Sequence, residues 1–234
     1  MMKSKNEQMR KQAEKYVVVM MIQRILGLSC FILSAGTLFN VRGWIYFFIY
    51  FITSIIVLTV MFNNHIETLS ERGKKHNNTK NWDKICLAIY VPSAFYIIYI
   101  IAGLSVRFNW PVLSTIFIHI GIILYIMSTI LGVWPIIENK HFESTARIQD
   151  DRNQNVITTG PYKLLRHPGY SSIIIWAFSV PMIFGSLYTC IVSVIIVVTI
   201  IIRTYFEDCM LKKELSGYME YTKKVKYRLM PFIW

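Results

Sequence analysis

Residues 170–202 read YSSIIIWAFSVPMIFGSLYTCIVSVIIVVTIII, 33 positions without a charged side chain. A single helix of that length would overshoot an apolar layer of roughly 30 Å. Pro181 and Gly185 sit near its middle, where a residue that stops one helix and a residue that tolerates a tight turn are needed. The stretch is therefore read as a membrane helical hairpin: two short arms with a turn close to the far membrane face.

The rest of the chain agrees with a polytopic membrane protein. Of its 234 residues 54% are hydrophobic and only 16% are charged, with a mean hydropathy of +0.44, too apolar for a soluble domain of this size. Four full spans precede the hairpin, at about 17–39, 44–62, 84–106 and 111–134. The first, about 23 residues long and followed at once by another, is longer than a signal-peptide core and is expected to be a retained anchor. The fold class is thus all-α: a bundle of four spans, a C-terminal hairpin and an amphipathic C-terminal helix outside the membrane.

Charge gives the orientation. Of 25 Lys and Arg, 22 lie in the N-terminal segment, the 63–84 and 135–167 connections and the part from Arg203 onward, and all 13 acidic residues lie there too. Alternating spans put these segments on one face, so both termini are expected in the cytoplasm. The net charge of +12 flanks apolar spans instead of lining a soluble face with stacking aromatics, which excludes a nucleic-acid partner. Arg24, inside the first span, is expected to snorkel to the cytoplasmic surface. Trp44, Trp82, Trp110 and Trp134 mark span ends. The Ile, Lys and Asn bias points to an AT-rich, bacterial genome, hence a bacterial cell membrane. Nothing in the sequence sets the oligomeric state.

The loops outside are a few residues each, so chemistry belongs to the cytoplasmic pieces. Residues 63–82, with His65 and His76, read as a solvated polar linker. Cys30, Cys86, Cys190 and Cys209 form no disulfide framework. His141 with Glu138 and Glu143 lacks any metal-ligand spacing, and no nucleophile elbow, P-loop or GxGxxG occurs. In the tail Leu211, Leu215, Tyr218, Thr222 and Val225 recur at spacings of four and three, an apolar stripe expected on one helix that Pro231 ends. "RTYFEDCM", residues 203–210, puts Arg203 and Glu207 on one helical face where the hairpin leaves the membrane, with Asp208 beside them. Arg166 and His167 close the preceding loop, and the hairpin should bring both clusters together.

These pieces, NVITTGPYKLLRHPGY at 155–170 and RTYFEDCMLKKELSGYMEYTKKVKYRLMP at 203–231, resemble the isoprenylcysteine carboxyl methyltransferase family, related to phospholipid methyltransferases. The resemblance covers about 110–234. It divides the chain into a cytoplasmic segment 1–16, N-terminal spans in 17–107, and a methyltransferase core 110–234 of fourth span, cofactor loop, hairpin and C-terminal helix. It implies S-adenosylmethionine as methyl donor, bound by Arg147, Gln154, Asn155, Val156, Ile157, Tyr162, His167, Pro168, Gly169, Tyr170 and Glu207. It implies Arg203 and Glu207 as catalytic residues, Arg203 and Arg166 as substrate-binding, and a lipophilic or lipidated acceptor that enters from the bilayer lipids. The chain departs from the family at Ser172, where glycine is usual, at Asp208, where glutamate is common, and at Arg147, often glutamine in eukaryotic members.

A substrate carboxylate is already ionised at neutral pH, so its methylation needs alignment and exclusion of water, not a base. A phospholipid ethanolamine acceptor would need a base, and Arg203 would be a like-charged neighbour. A scaffold or transporter would explain the spans but not the polar cluster at one end.

Overall fold

The computed structural model describes residues 2–74 and 78–234; His76 lies outside the described residues. These residues form helices α1 (Met2–Ala35), α2 (Val41–Asn64), α3 (Ile66–Arg72), α4 (Asn81–Pro92), α5 (Ile98–Arg107), α6 (Ile116–Glu138), α7 (Pro168–Phe184), α8 (Thr189–Glu214) and α9 (Tyr218–Lys224), with no strand among them. A π-helical turn, Ser93–Ile97, joins α4 to α5 into one span just after Pro92, whose missing N–H disrupts the regular hydrogen-bond ladder. Among the described residues five helical segments, α4 and α5 counting as one, are long and apolar enough to cross a membrane, and α7 is a shorter apolar helix. Leu33, Phe48, Ile123 and Ile191 point outward and are more than half exposed, a surface that a lipid environment covers. The protein is an all-α integral membrane bundle.

Small residues let the helices approach closely, as packing without a hydrophobic drive requires. A Cβ on Gly103 of α5 would lie 1.9 Å from Ser34 Oγ and 2.6 Å from the Phe31 carbonyl of α1. Across the α6–α7 contact a Cβ on Gly121 would meet Ile183 at 2.8 Å, and one on Gly132 would meet Ser172 Oγ at 2.9 Å. Ser172 is thus buried in a helix contact, its hydroxyl on the Gly169 carbonyl at 2.7 Å. Polar atoms inside the bundle find one another: Tyr46 with Tyr99 at 2.9 Å, Ser105 with Ser186 at 2.6 Å, and Ser193 on the Ala177 carbonyl at 2.6 Å.

The hairpin turns at Gly185, in left-handed backbone (φ 71°), and its carbonyl accepts the Leu113 N–H. Its arms are unequal: α7 has 17 residues, while α8 has 26 and extends beyond the apolar run as far as Glu214.

Three expectations are corrected. Residues 66–72 of the supposed linker are helical and bury Thr68, Leu69 and Ser70 against α1 and α2. Arg24 turns inward, its Nε donating to Ser54 and its guanidinium 5.0 Å from the Tyr50 ring centre. The tail stripe is not on one helix, because α8 ends at Leu215 in extended backbone and Gly217 is left-handed (φ 81°). Leu211, Tyr218 and Val225 still share one apolar cluster, with Leu215 packed against it, and the second helix ends at Lys224, well before Pro231.

Candidate active site

The loop between α6 and α7 folds over the end of the bundle where α8 emerges. Gly160 takes φ +55°, and a Cβ there would strike Glu138 at 2.8 Å, so this turn needs glycine. Pro161 then starts a single 3₁₀ turn, Gly160–Lys163. The tail after α9 pairs with the loop's end: Arg166 N–H donates to Tyr227 O at 2.9 Å and His167 N–H to Arg228 O at 3.0 Å. Local turns thus place the loop, the start of α7, α8 and α9 around one cavity of about 120 Å³.

Arg147, Gln154, Asn155, Val156, Ile157, Tyr162, Arg166, His167, Pro168, Gly169, Tyr170 and Glu207 all line it. Arg147 is buried, with Nε and Nη2 on the Glu143 carboxylate at 2.9 and 2.8 Å and Nη1 on Asp151 at 2.6 Å. Burial opposes its charge, but the two carboxylates more than offset this and raise its pKa above the usual guanidinium value. The Tyr170 hydroxyl donates to Glu207, joining the two clusters across the hairpin base. Burial pushes the Tyr162 and Tyr218 phenols up, so both stay neutral.

Asp208, fully buried, faces the other way. Its carboxylate takes Arg166 Nη1 at 2.7 and 3.0 Å, Lys212 Nζ at 2.9 Å, Arg228 Nε at 3.0 Å and the Tyr218 hydroxyl at 3.0 Å. Arg166 also gives Nη2 to the Lys226 carbonyl at 2.9 Å, while its Nε is buried without a hydrogen-bond partner among the described residues. The same holds for Oγ1 of Thr145, another residue of the cavity wall.

Arg203 is not in the cavity wall. Its Nε pairs with Asp83 at 2.6 Å, its Nη2 donates to the Ser144 carbonyl at 2.9 Å, and its guanidinium lies 5.2 Å from the Tyr170 ring centre. Asp83 is fully buried and accepts the Ala146 N–H at 2.8 Å with its other oxygen. Sequence reasoning passed over Asp83; the available signal was a carboxylate in the first turn of an apolar span.

His141, buried at the cavity's polar side, has Nδ1 3.4 Å from Gln149 Oε1 and Nε2 3.2 Å from Asn155 Oδ1. Burial lowers its pKa below 6.5, outweighing those two contacts, which raise it. The unfolded chain therefore takes up the proton first. The contribution to stability is complete above about pH 6.5 and is lost as pH falls below it. Melting temperature is expected to fall between about pH 7.5 and about pH 5.5, less steeply in His141→Gln; equal slopes would count against this role.

The model of the isoprenylcysteine carboxyl methyltransferase family matches residues 119–213. Two relatives, each described as a probable protein-S-isoprenylcysteine O-methyltransferase, from Oryza sativa subsp. indica and subsp. japonica, are 29% identical over 118 residues. The match takes in 49% of this chain and spans 61% of each relative's length.

Proposed function

We propose, with the chain's membership of the isoprenylcysteine carboxyl methyltransferase family as the premise, that this membrane protein is an S-adenosylmethionine-dependent methyltransferase. Its acceptor is the carboxylate of a lipophilic molecule of the prenylcysteine kind, entering from the bilayer. The observation that carries the reading is the convergence of the eleven cofactor residues implied by the resemblance on one cavity. Arg166 Nε and Thr145 Oγ1, buried there without partners among the described residues, suit the carboxylate and hydroxyls of such a cofactor. The Tyr162, Tyr218 and Tyr221 rings in the same wall suit its base and its cationic sulfur.

When bound, the cofactor supplies a methyl group on positively charged sulfur; the acceptor oxygen takes the methyl, and the sulfur keeps the bonding electrons as a neutral thioether. The chain's own residues bind and align. Glu207 takes cofactor N–H or O–H groups, oriented by the Tyr170 hydroxyl. Asp208 fixes Arg166, a residue of the cavity wall whose Nε is left without a hydrogen-bond partner among the described residues. Arg203, already paired with Asp83, is a positioning residue that packs on the Tyr170 ring. The acceptor is ionised at neutral pH, so no side chain has to move a proton, and catalysis rests on proximity and exclusion of water. The excess of basic residues at the end bearing this site supports a cytoplasmic site with both termini in the cytoplasm, and the composition supports a bacterial membrane.

The protein purified in detergent should gain thermal stability from S-adenosylmethionine and transfer label from its methyl group to a farnesylated cysteine, releasable by alkali as methanol. Glu207→Gln is expected to weaken cofactor binding about tenfold or more, the worth of one charge-assisted bond, without lowering the melting temperature of the free protein. Folded protein that ignores millimolar cofactor would sink the reading.

A further inference from the structure

Phe142 and Gly169 belong to the walls of two cavities: the one described above and a larger one of about 320 Å³ inside the bundle. Residues of α1, α2, α3, α4, α6 and α7 line the second, together with Phe95 of the π-helical turn. The wall is mostly aromatic and aliphatic, with two guanidinium groups set into it, Arg24 and Arg72. No carboxylate among the described residues lines it. Arg24 is held by Ser54 and the Met20 carbonyl over Tyr50. Arg72 donates Nε to the Tyr16 hydroxyl at 3.1 Å and lies 5.3 Å from the Phe142 ring centre. Its Nη1 is buried and has no hydrogen-bond partner among the described residues.

Both side chains are half-buried, and a cation partly withdrawn from water without a counter-charge is costly, a cost that ring faces offset only in part. A ligand with one negative charge completes the site, and the wall around that charge suits an apolar chain. Resting on the methyl-transfer reading, we infer that this cavity takes the acceptor as an anionic amphiphile whose carboxylate is held by Arg72, with Arg24 as a second, deeper cation. Phe142 stands between the two cavities and packs on Gly169, where a Cβ would lie 2.7 Å from its ring. Held by Arg72, the acceptor's charged end waits one ring away from the cofactor residues, and it must pass Phe142 before its oxygen meets the methyl group. Arg24 and Arg72 both precede the 119–213 match. A cationic ethanolamine head would meet two like charges there.

The test uses N-acetyl-S-farnesylcysteine and its carboxamide, titrated into the full chain in detergent and read by thermal shift, with S-adenosylmethionine titrated separately. The wild type is expected to bind the acid at least about tenfold more tightly than the amide, as a fork on a carboxylate implies. Arg72→Gln should lose that preference while binding the amide and S-adenosylmethionine as the wild type does. Equal affinity for acid and amide in the wild type, or an intact preference in Arg72→Gln, overturns the assignment. Should Arg72→Gln not fold, Arg72→Lys decides: a reduced preference is expected, and an undiminished one overturns it. Failure of S-adenosylmethionine to bind would instead strike the methyl-transfer reading, and the acid–amide comparison would still stand on its own.

Discussion

Asp208→Asn is expected to cost about 3–5 kcal/mol of stability, the usual loss when a buried ion pair is broken from one side. The carboxylate is fully buried and faces Arg166, Lys212 and Arg228 from three separate segments, with the Tyr218 hydroxyl as a further donor. Neutralising it leaves Arg166, itself buried, without its counter-charge at the base of the hairpin. The same contacts hold the tail against α8, so residues 225–234 should become open to protease in the variant before the bundle does. Asp208→Glu keeps the charge and should recover part of the loss. The contrast with Glu207 is the useful part. That side chain is half-buried and faces the cavity, so its loss should appear in cofactor affinity and not in melting temperature. Detergent-solubilised Asp208→Asn that melts with the wild type would show that the three cations are satisfied by other means.

The neighbouring acids illustrate what was legible in the sequence. Their position at the membrane edge followed from hydropathy, and the hairpin that brings them to Tyr170 and Arg166 followed from a run too long for one crossing and interrupted by Pro181 and Gly185. Which acid faced which way did not follow, because adjacent helical residues differ by about 100° in direction, and only the positions of α9 and the tail decide which side is the interior. Arg203 and Asp83 are 120 positions apart, and no local pattern joins them. The short helix α3 was missed because seven residues of mixed polarity carry too little periodicity to stand out from a polar linker. In the tail the periodicity was real, since its apolar members do cluster, but it ran through a break made by Leu215 and Gly217. Arg24 shows the reverse error. Snorkelling is the ordinary fate of an arginine near a span end, and Ser54 with the Tyr50 ring supplied an interior alternative on another helix.

Arg203 and Asp83 allow a cycle that separates position from contact. Each is buried, and the pair ties α4 to α8, while Asp83 also holds the loop through the Ala146 N–H and Arg203 holds it through the Ser144 carbonyl. Arg203→Met leaves a buried carboxylate without its cation, and Asp83→Asn leaves a buried cation without its carboxylate, so each alone should cost about 3–5 kcal/mol. The double variant removes both charges and should cost less than the sum, by a coupling of about 0.5–3 kcal/mol. Ligand binding then distinguishes the two roles an arginine could have here. If Arg203 acts through the Tyr170 ring and the loop, cofactor affinity and the preference for binding the acid over its amide should be damaged in Arg203→Met and should partly return in the double variant as the fold is restored. If its guanidinium meets the acceptor carboxylate itself, the acid preference would stay lost in the double variant however well it folds, because no cation has been put back. Partial return is the expected result: Nε and Nη2 are already committed to Asp83 and the Ser144 carbonyl, and a fork so engaged has little left for bidentate recognition of another carboxylate. Melting temperature, cofactor titration and the ratio of acid to amide affinity on the four proteins of the cycle are the measurements required.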